Sequence, residues 1–410
     1  MFPGAVIRKL AFSEEIYARY QAFTSFTAHV RGPVDIDAMS EAFDALLQAH
    51  PVFAAHLEEG PDGNHHIVAN DLLHSGLVVI DGRRAENPHV QLDQRDSLFR
   101  LQLTLGESEN LVTAYVHHSL ADAHHLGSLL DELLSRYTDV VTTGDPGPIT
   151  PEPAPQPAED LLKRRGIKQS ALTGFERFLP LLFAYDLPPI AEEMRKFEAP
   201  EPVPVTRCRL TSQETADLVS FSRDNGLSFN AVLAAAILLA EWRLRETPHV
   251  PIPLDLRFLL SPPVGATEST NPVGLATYLA EIGPDTDITE LAADIVATFR
   301  ADLSDGMIHQ SALRSGRILE GTPPGLPPFV LCTNVSTLPP ISTPEDVELV
   351  DFHSRIHCAM DVPFGFYACS IATDRLSIEL HGSIPAPQLL LDAIRDILCS
   401  VPSEYGLFME

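Results

Sequence analysis

At 410 residues, with 45% apolar and 20% charged residues, the chain has the composition of an ordinary globular protein large enough for two or three domains. Its 28 Lys and Arg stand against 56 Asp and Glu, a net charge of -28 that repels phosphate backbones and anionic lipid. Nucleic acid is therefore not an expected partner, membrane contact is expected to be peripheral at most, and any anionic partner needs a local basic patch.

Five scattered cysteines (Cys208, Cys332, Cys358, Cys369, Cys399) without a CxxC point to reduced thiols. Met1–Leu10 has no apolar h-region after its charges, as a signal peptide would. The longest apolar run, Ala231–Ala240, is too short to span a bilayer. These features predict a cytoplasmic protein, and a monomer is expected.

In chain order, Pro33–Asp37 precedes a predicted helix with Met39, Phe43, Leu46 and Leu47 on one face. Asp35 or Asp37 caps it and Pro51 follows its end. Phe53–Leu57 and Ile67–Ala69 read as short strands around the turn Pro61-Asp62-Gly63-Asn64. Leu98–Leu105 and Leu111–His118 read as an antiparallel pair turned at Gly106–Asn110. A helix follows, with Leu126, Leu129, Leu130, Leu133, Leu134 and Tyr137 on one side.

Pro146–Pro157 holds six prolines in twelve residues and reads as an extended connector. An amphipathic segment, Gly174–Tyr185, comes next, then more prolines to Pro204. Val205–Leu210 reads as a strand, Ser212–Asp224 as a helix closed by Gly226, and Phe229–Leu244 as a long apolar helix capped by Ser228. Val250–Leu260 alternates, with Asp255 and Arg257 on its polar face. Asn271-Pro272-Val273-Gly274 leads into a predicted strand, Leu275–Ile282. Asp287–Asp302 is a predicted helix and Phe329–Thr333 a short strand running into Asn334. Phe366–Ala372 and Arg375–His381 make a hairpin about Thr373-Asp374, and Pro387–Cys399 a closing helix.

One stretch, Tyr115-Val116-His117-His118-Ser119-Leu120-Ala121-Asp122-Ala123, carries recognisable chemistry. Period-2 reading puts His118 with Val112, Ala114 and Val116, and His117 with Leu111, Thr113 and Tyr115 on a more polar face. His118 is thus expected to point inward at the end of a strand, where a base partly out of water suits proton transfer near neutral pH.

This stretch resembles the HHxxxDG motif of acyltransferases with the chloramphenicol acetyltransferase-like fold, with Ala123 in place of the motif glycine. If that position has φ > 0 the alanine is strained; if φ is negative one methyl is tolerable. The resemblance extends over nearly the whole chain: the linker, the second-half helix pair with Leu227-Ser228-Phe229-Asn230-Ala231-Val232, Asp255-Leu256-Arg257, and the final hairpin and helix. Met1–Gly4, Gly144–Pro151, Gly321–Pro328 and Val401–Gly406 narrow it to the polyketide-associated acyltransferases. The DFGWG motif of the plant branch is missing; Phe364-Gly365-Phe366 is a faint echo.

The resemblance implies an α/β protein of two halves, each a mixed sheet flanked by helices, with an active-site channel between them. Residues 1–145 would form the first half, 146–204 the connector and crossover helix, and 205–410 the second half. It implies transfer of a methyl-branched acyl group from a thioester, on a carrier-protein domain or coenzyme A, to a long-chain diol lipid of the phthiocerol type. No cofactor is implied. His118 maps to the general base and Asp122 to a structural carboxylate paired with Arg257; Arg257 alternatively stays exposed or pairs with Asp255. His117 would support the loop, and Asn271 and Asn334 offer polar contacts to a tetrahedral oxyanion. Lys163, Arg164, Arg165 and Lys168, the one basic cluster, read either as a solvated helix face or as the dock for an acidic carrier.

Two other readings stand beside this one. His117, His118, Asp122, His124 and His125 are all acceptable zinc ligands, which would make a metal-dependent hydrolase, although HExxH is missing. The chain would otherwise be a condensation-like domain that docks carriers without catalysis. No GxSxG, Walker A or GxGxxG is present.

Overall fold

The computed structural model describes residues 5–70, 76–82, 90–170, 196–245, 249–255, 259–279, 282–314, 330–337, 341–362 and 365–406. The elements run β1 (Val6–Lys9), α1 (Phe12–Arg19), β2 (Phe23–Arg31), α2 (Ile36–Ala49), β3 (His56–Glu59), β4 (His65–Val68), β5 (Leu77–Asp81), β6 (Phe99–Leu105), β7 (Asn110–His117), α3 (Ala123–Thr143) and α4 (Ala158–Arg164). They continue as β8 (Lys196–Pro202), β9 (Val205–Arg209), α5 (Ser212–Asp224), α6 (Phe229–Arg245), β10 (His249–Asp255), β11 (Val273–Leu279), α7 (Ile288–Ser304) and α8 (Met307–Ala312). The last are β12 (Val330–Thr337), β13 (Glu348–Met360), β14 (Gly365–Ala372), β15 (Arg375–His381) and α9 (Pro387–Gly406).

The apolar stripes set the first layer. Met39, Phe43 and Leu46 of α2 and Leu126, Leu130, Leu133 and Leu134 of α3 bury against Phe26, Phe99, Leu101, Val112, Ala114 and Val116 of the strands beneath. Fully burying each such side chain contributes about 1.5–3 kcal/mol, and Leu130→Ala would cost roughly 2–5 kcal/mol. Asp35, not Asp37, is the N-cap of α2; its carboxylate accepts from Asp37 N and Ala38 N. The sheet has six strands in the order β5-β6-β7-β2-β13-β8, mixed because β5 runs parallel to β6 while the other pairs are antiparallel.

Its other face is polar and also buried, so its groups satisfy one another. Thr27 and Thr113 hydroxyls meet at 3.0 Å, Ser25 Oγ lies 3.1 Å from His357 Nε2, and the Tyr115 hydroxyl donates to Gln102 at 3.4 Å.

The second sheet has the order β12-β14-β15-β9, with β12 parallel to β14. Leu218 of α5, Val232, Leu238 and Leu239 of α6, and Leu391 and Ile394 of α9 pack on Tyr367, Ile378 and Leu380. Thr373 and Asp374 close the β14–β15 hairpin at φ 49° and 59°, the left-handed pair that a two-residue turn of this twist requires.

The two sheets exchange chain. β13, thirteen residues from beyond residue 205, sits in the first sheet between β2 and β8, whereas the sequence division counts it with the second half. Arg207 on β9 donates two bonds to the Asp351 carboxylate on β13, at 2.8 and 2.9 Å, and Arg209 adds an ion pair at 3.0 Å. Bidentate geometry holds the edge of one sheet to a central strand of the other. Among the described residues, no single helix is long and apolar enough to cross a membrane.

Candidate active site

β7 delivers His117 and His118 to opposite fates. His117 is the last strand residue, paired with Phe23 of β2, and its ring is fully buried with an edge-on contact to Phe23 at 4.9 Å. His117 shares the more polar face of the strand with Thr113 and Tyr115, as the alternation led us to expect, and that face is buried because both faces of this central strand are covered. Its Nε2 donates to Gln94 Oε1 at 2.9 Å, while Nδ1 accepts from the Ser119 backbone N–H and meets Ser119 Oγ at 2.7 Å. Both ring nitrogens are occupied. Burial, with the neighbouring His118 and His65, pushes its pKa down to about 3.

His118 lies one residue past the strand, half-buried, its backbone N–H donating to Ala22 O at 2.8 Å. Asn271 clamps it from the second half of the chain. Asn271 Nδ2 donates to the His118 carbonyl at 2.6 Å, which fixes the orientation of the amide and turns Oδ1 to the ring. Oδ1 then accepts from His118 Nδ1 across 3.0 Å. An amide oxygen only accepts, so Nδ1 carries the proton and Nε2 holds the lone pair. The ring lies flat on Tyr17 of α1, centroids 4.3 Å apart. Burial lowers the His118 pKa, against the raising influence of its own carbonyl, the Asp122 carboxylate and Asn271. The group is a free base at pH 7.

Asn271 is itself held. Val273 N–H closes a tight turn onto Asn271 O at 2.8 Å, and Leu275 N–H donates to Ser311 Oγ of α8 at 2.7 Å. Gly274 permits this approach, since a Cβ there would sit 2.5 Å from Ile308 O. The preceding residues run along the proline-rich connector. Gln156 N–H donates to Glu268 O, and Thr270 N–H and Ser269 Oγ donate to Gln156 O, all at 2.7–2.9 Å.

Asp122 caps α3: Oδ1 accepts from His125 N–H at 3.0 Å, and its backbone N–H donates to Thr270 O at 3.0 Å. Its expected partner, Arg257, lies outside the described residues, as do Gly174–Tyr185, Gly321–Pro328 and Phe364. Ala123 is the first residue of α3, and the described non-glycine residues with positive φ are Gln21, Thr373, Asp374 and Ala386. The motif position therefore has negative φ, and the methyl is unstrained.

Several candidate residues do not gather where the sequence put them. Asn271 was expected at the oxyanion; the bonds it makes are to His118. Asn334 lies in β12, beside Cys369 of β14, and its side chain is outside the described residues. Lys163, Arg164 and Lys168 are exposed and Arg165 half-buried, at and beyond the end of α4. The histidines of the motif region point to separate partners: His125 Nδ1 meets Ser269 O at 3.2 Å, and its ring packs edge-on to Phe53. Among the described residues, no three His, Cys, Asp or Glu side chains converge as metal ligands. Tyr17 was missed, since nothing local in Glu14–Ala18 marks it as touching a motif 101 positions away.

A family model described as phthiocerol/phthiodiolone dimycocerosyl transferase C-terminus matches residues 199–381. The phthiocerol/phthiodiolone dimycocerosyl transferase of Mycobacterium ulcerans (strain Agy99) is 98% identical over 414 residues, covering 100% of both chains. The structure of polyketide synthase associated protein 5 from Mycobacterium tuberculosis is 53% identical, with a TM-score of 0.89 over 98% of this chain and 100% of that one. The first condensation domain of the calcium-dependent antibiotic synthetase, 14% identical, superposes with a TM-score of 0.70 over 98% of each chain. At that identity the likeness is one of fold: two mixed sheets with helices, the chloramphenicol acetyltransferase-like class the motif led us to expect.

Proposed function

This chain belongs to the phthiocerol/phthiodiolone dimycocerosyl transferase family and is an acyltransferase, and from that premise we propose that His118 is the general base of ester formation between a thioester and a lipid alcohol. The observation that carries this reading is the clamp on His118: Asn271 takes Nδ1, Tyr17 takes one ring face, and among the described residues Nε2 has no hydrogen-bond partner. His117 has neither nitrogen to spare.

Nε2 removes the hydroxyl proton as the alcohol oxygen forms its bond to the thioester carbonyl carbon. The tetrahedral adduct collapses, the carbon–sulfur bond breaks, and the imidazolium returns the proton to the leaving thiolate. No acyl-enzyme is needed. The acceptor is a long-chain diol of the phthiocerol or phthiodiolone type and the donor a methyl-branched acyl thioester on a polyketide-synthase carrier domain, with acyl-CoA as a substitute. The relatives' names support the acceptor and the acyl group, and the likeness to polyketide synthase associated protein 5 supports a polyketide-synthase donor. Asn334 is the remaining candidate for the oxyanion.

The test is an assay of the purified full chain with medium and long acyl-CoA donors and simple or long-chain alcohols, read by mass spectrometry. Ester with equimolar free thiol is expected, and it is lost in His118→Ala. Hydrolysis alone, or no turnover with any donor, would overturn the reading.

A further inference from the structure

The base is held by two arms, Asn271 and Tyr17, that arrive from distant parts of the chain. Both arms lead back to one carboxylate. Glu14 is on α1, one turn before Tyr17, and is fully buried. Arg8 of β1 donates to it twice, at 2.6 and 2.9 Å. The Ala11 backbone N–H donates to it at 2.8 Å, closing the start of α1. The fourth donor is Thr270 Oγ1, at 2.8 Å, from the residue directly before Asn271. Arg8 also reaches Pro155 O of the connector at 3.4 Å, and that connector pairs with Ser269 and Thr270.

A buried carboxylate with four donors is a rigid node, because each bond would have to be broken without water to replace it. This one joins the start of the helix bearing Tyr17 to the turn bearing Asn271. A small displacement of either changes where Nε2 points. A misplacement of about 1 Å at a reacting group can lower a rate by roughly a hundredfold.

We propose that Glu14 is a positioning residue for acyl transfer: held by Arg8, it locks Thr270, and through Thr270 the Asn271 amide that fixes the ring and the tautomer of His118. This rests on His118 being the base. Glu14 makes no hydrogen bond to the His118 ring and acts through Thr270 and Asn271.

Thr270→Val tests the link with least disturbance, since it removes one hydroxyl and keeps the shape of a fully buried side chain. With the full-length enzyme and saturating acyl-CoA and alcohol, kcat is expected to fall roughly tenfold or more, with both KM values within about twofold. Thr270→Ser, which keeps the hydroxyl, is expected to hold kcat near that of the parent. The decisive comparison is Asn271→Ala alone against Thr270→Val with Asn271→Ala. If Thr270 acts only through Asn271, the double variant turns over as fast as Asn271→Ala alone. Glu14→Gln should follow Thr270→Val in the same cycle. Losses that multiply across the cycle, or a Thr270→Val enzyme with parental kcat, would overturn the proposal. His118→Ala run alongside separates the two ideas. If it is inactive while Thr270→Val is parental, only the positioning inference fails; if it retains turnover, the general-base reading fails and takes the inference with it.

Discussion

The imidazole of His118 and the phenol ring of Tyr17 lie face to face, their planes 7° from parallel and their centroids 4.3 Å apart. The stack fixes the ring about its side-chain torsions and would offer a π-face to the imidazolium of the proposed proton transfer. With Nδ1 committed to Asn271, the geometry leaves one nitrogen for chemistry. His118→Ala is therefore expected to lose about 10²–10⁴ in kcat with the fold intact. His117→Ala should keep most of the turnover of whatever fraction folds. Steady-state rates normalised to folded protein check this; equal impairment of the two variants would refute the assignment.

Burial dominates the pH response of His118, and Asn271 contributes to it with the opposite sign. Burial lowers the His118 pKa, and the Asn271 bond raises it. The acid limb of kcat/KM should therefore fall below the unperturbed histidine value of about 6.5. Asn271→Ala removes a raising influence, so the limb moves to lower pH while the plateau rate drops. Asn271→Asp places a carboxylate on the Nδ1 proton, so the limb moves to higher pH. The signs are opposite, and pH–rate profiles of the two variants read them directly.

His117 links pH to stability. In the unfolded chain it protonates near 6.5, and in the fold at about 3. Between those values the unfolded state holds the extra proton, so stability is full above about pH 6.5 and declines as pH falls toward 3. His117→Asn should make the unfolding free energy less steep in that window, by up to about 1.4 kcal/mol per pH unit. Denaturant titrations at pH 6.5, 5.5 and 4.5 measure the slope; identical slopes would show that another group carries the effect.

How much of this was legible in the sequence depended on range. The β6–β7 pair, the capped helix from Ser212 and the hairpin at Thr373-Asp374 all rest on local pattern and turn chemistry, and they appear within a residue or two. β2 and β13 were not read. They pair with each other across more than 300 residues of chain, and Glu348–Met360 mixes charged and apolar residues because one strand borders both sheets. The same holds at the site. The two histidines and Asp122 are contiguous and stood out, whereas Tyr17, Glu14 and Thr270 join them through tertiary contacts alone. Asn271 was singled out for the oxyanion because its residue type allows it; its partner is a matter of geometry.

Asp122 caps α3, and a pair of variants tests whether it has a second duty. Asparagine also fills the capping role, and Asp122 is proposed to face the Arg257 guanidinium. Asp122→Asn keeps the cap but strands the arginine, so it should cost about 3–5 kcal/mol if the pair is buried. Asp122→Ala should cost that and the cap, about 1 kcal/mol more. Chemical denaturation of both variants decides; a fully stable Asp122→Asn would leave capping as the whole role.

The last expectation concerns how a protein of net charge -28 meets its acyl donor. A carrier domain that is itself acidic is repelled at long range, and only a local positive patch reverses the sign at contact. Screening at physiological salt confines such fields to about 8–10 Å, so the patch must lie at the docking surface itself. Lys163, Arg164 and Lys168 are exposed at and just beyond the end of α4, the short helix that follows the proline-rich connector. Helix-end cations are also favoured by the helix dipole, which alone explains their presence and makes a solvated face the competing account. Kinetics separates the two. Arg164→Glu with Arg165→Glu should raise KM for a carrier-bound donor, and the rise should shrink as salt is added. The same variant should turn over short acyl-CoA with a simple alcohol at the parental rate, because neither substrate needs the patch. Equal losses with both donors would place the defect in the fold, and no loss with either would leave these residues as solvated charge.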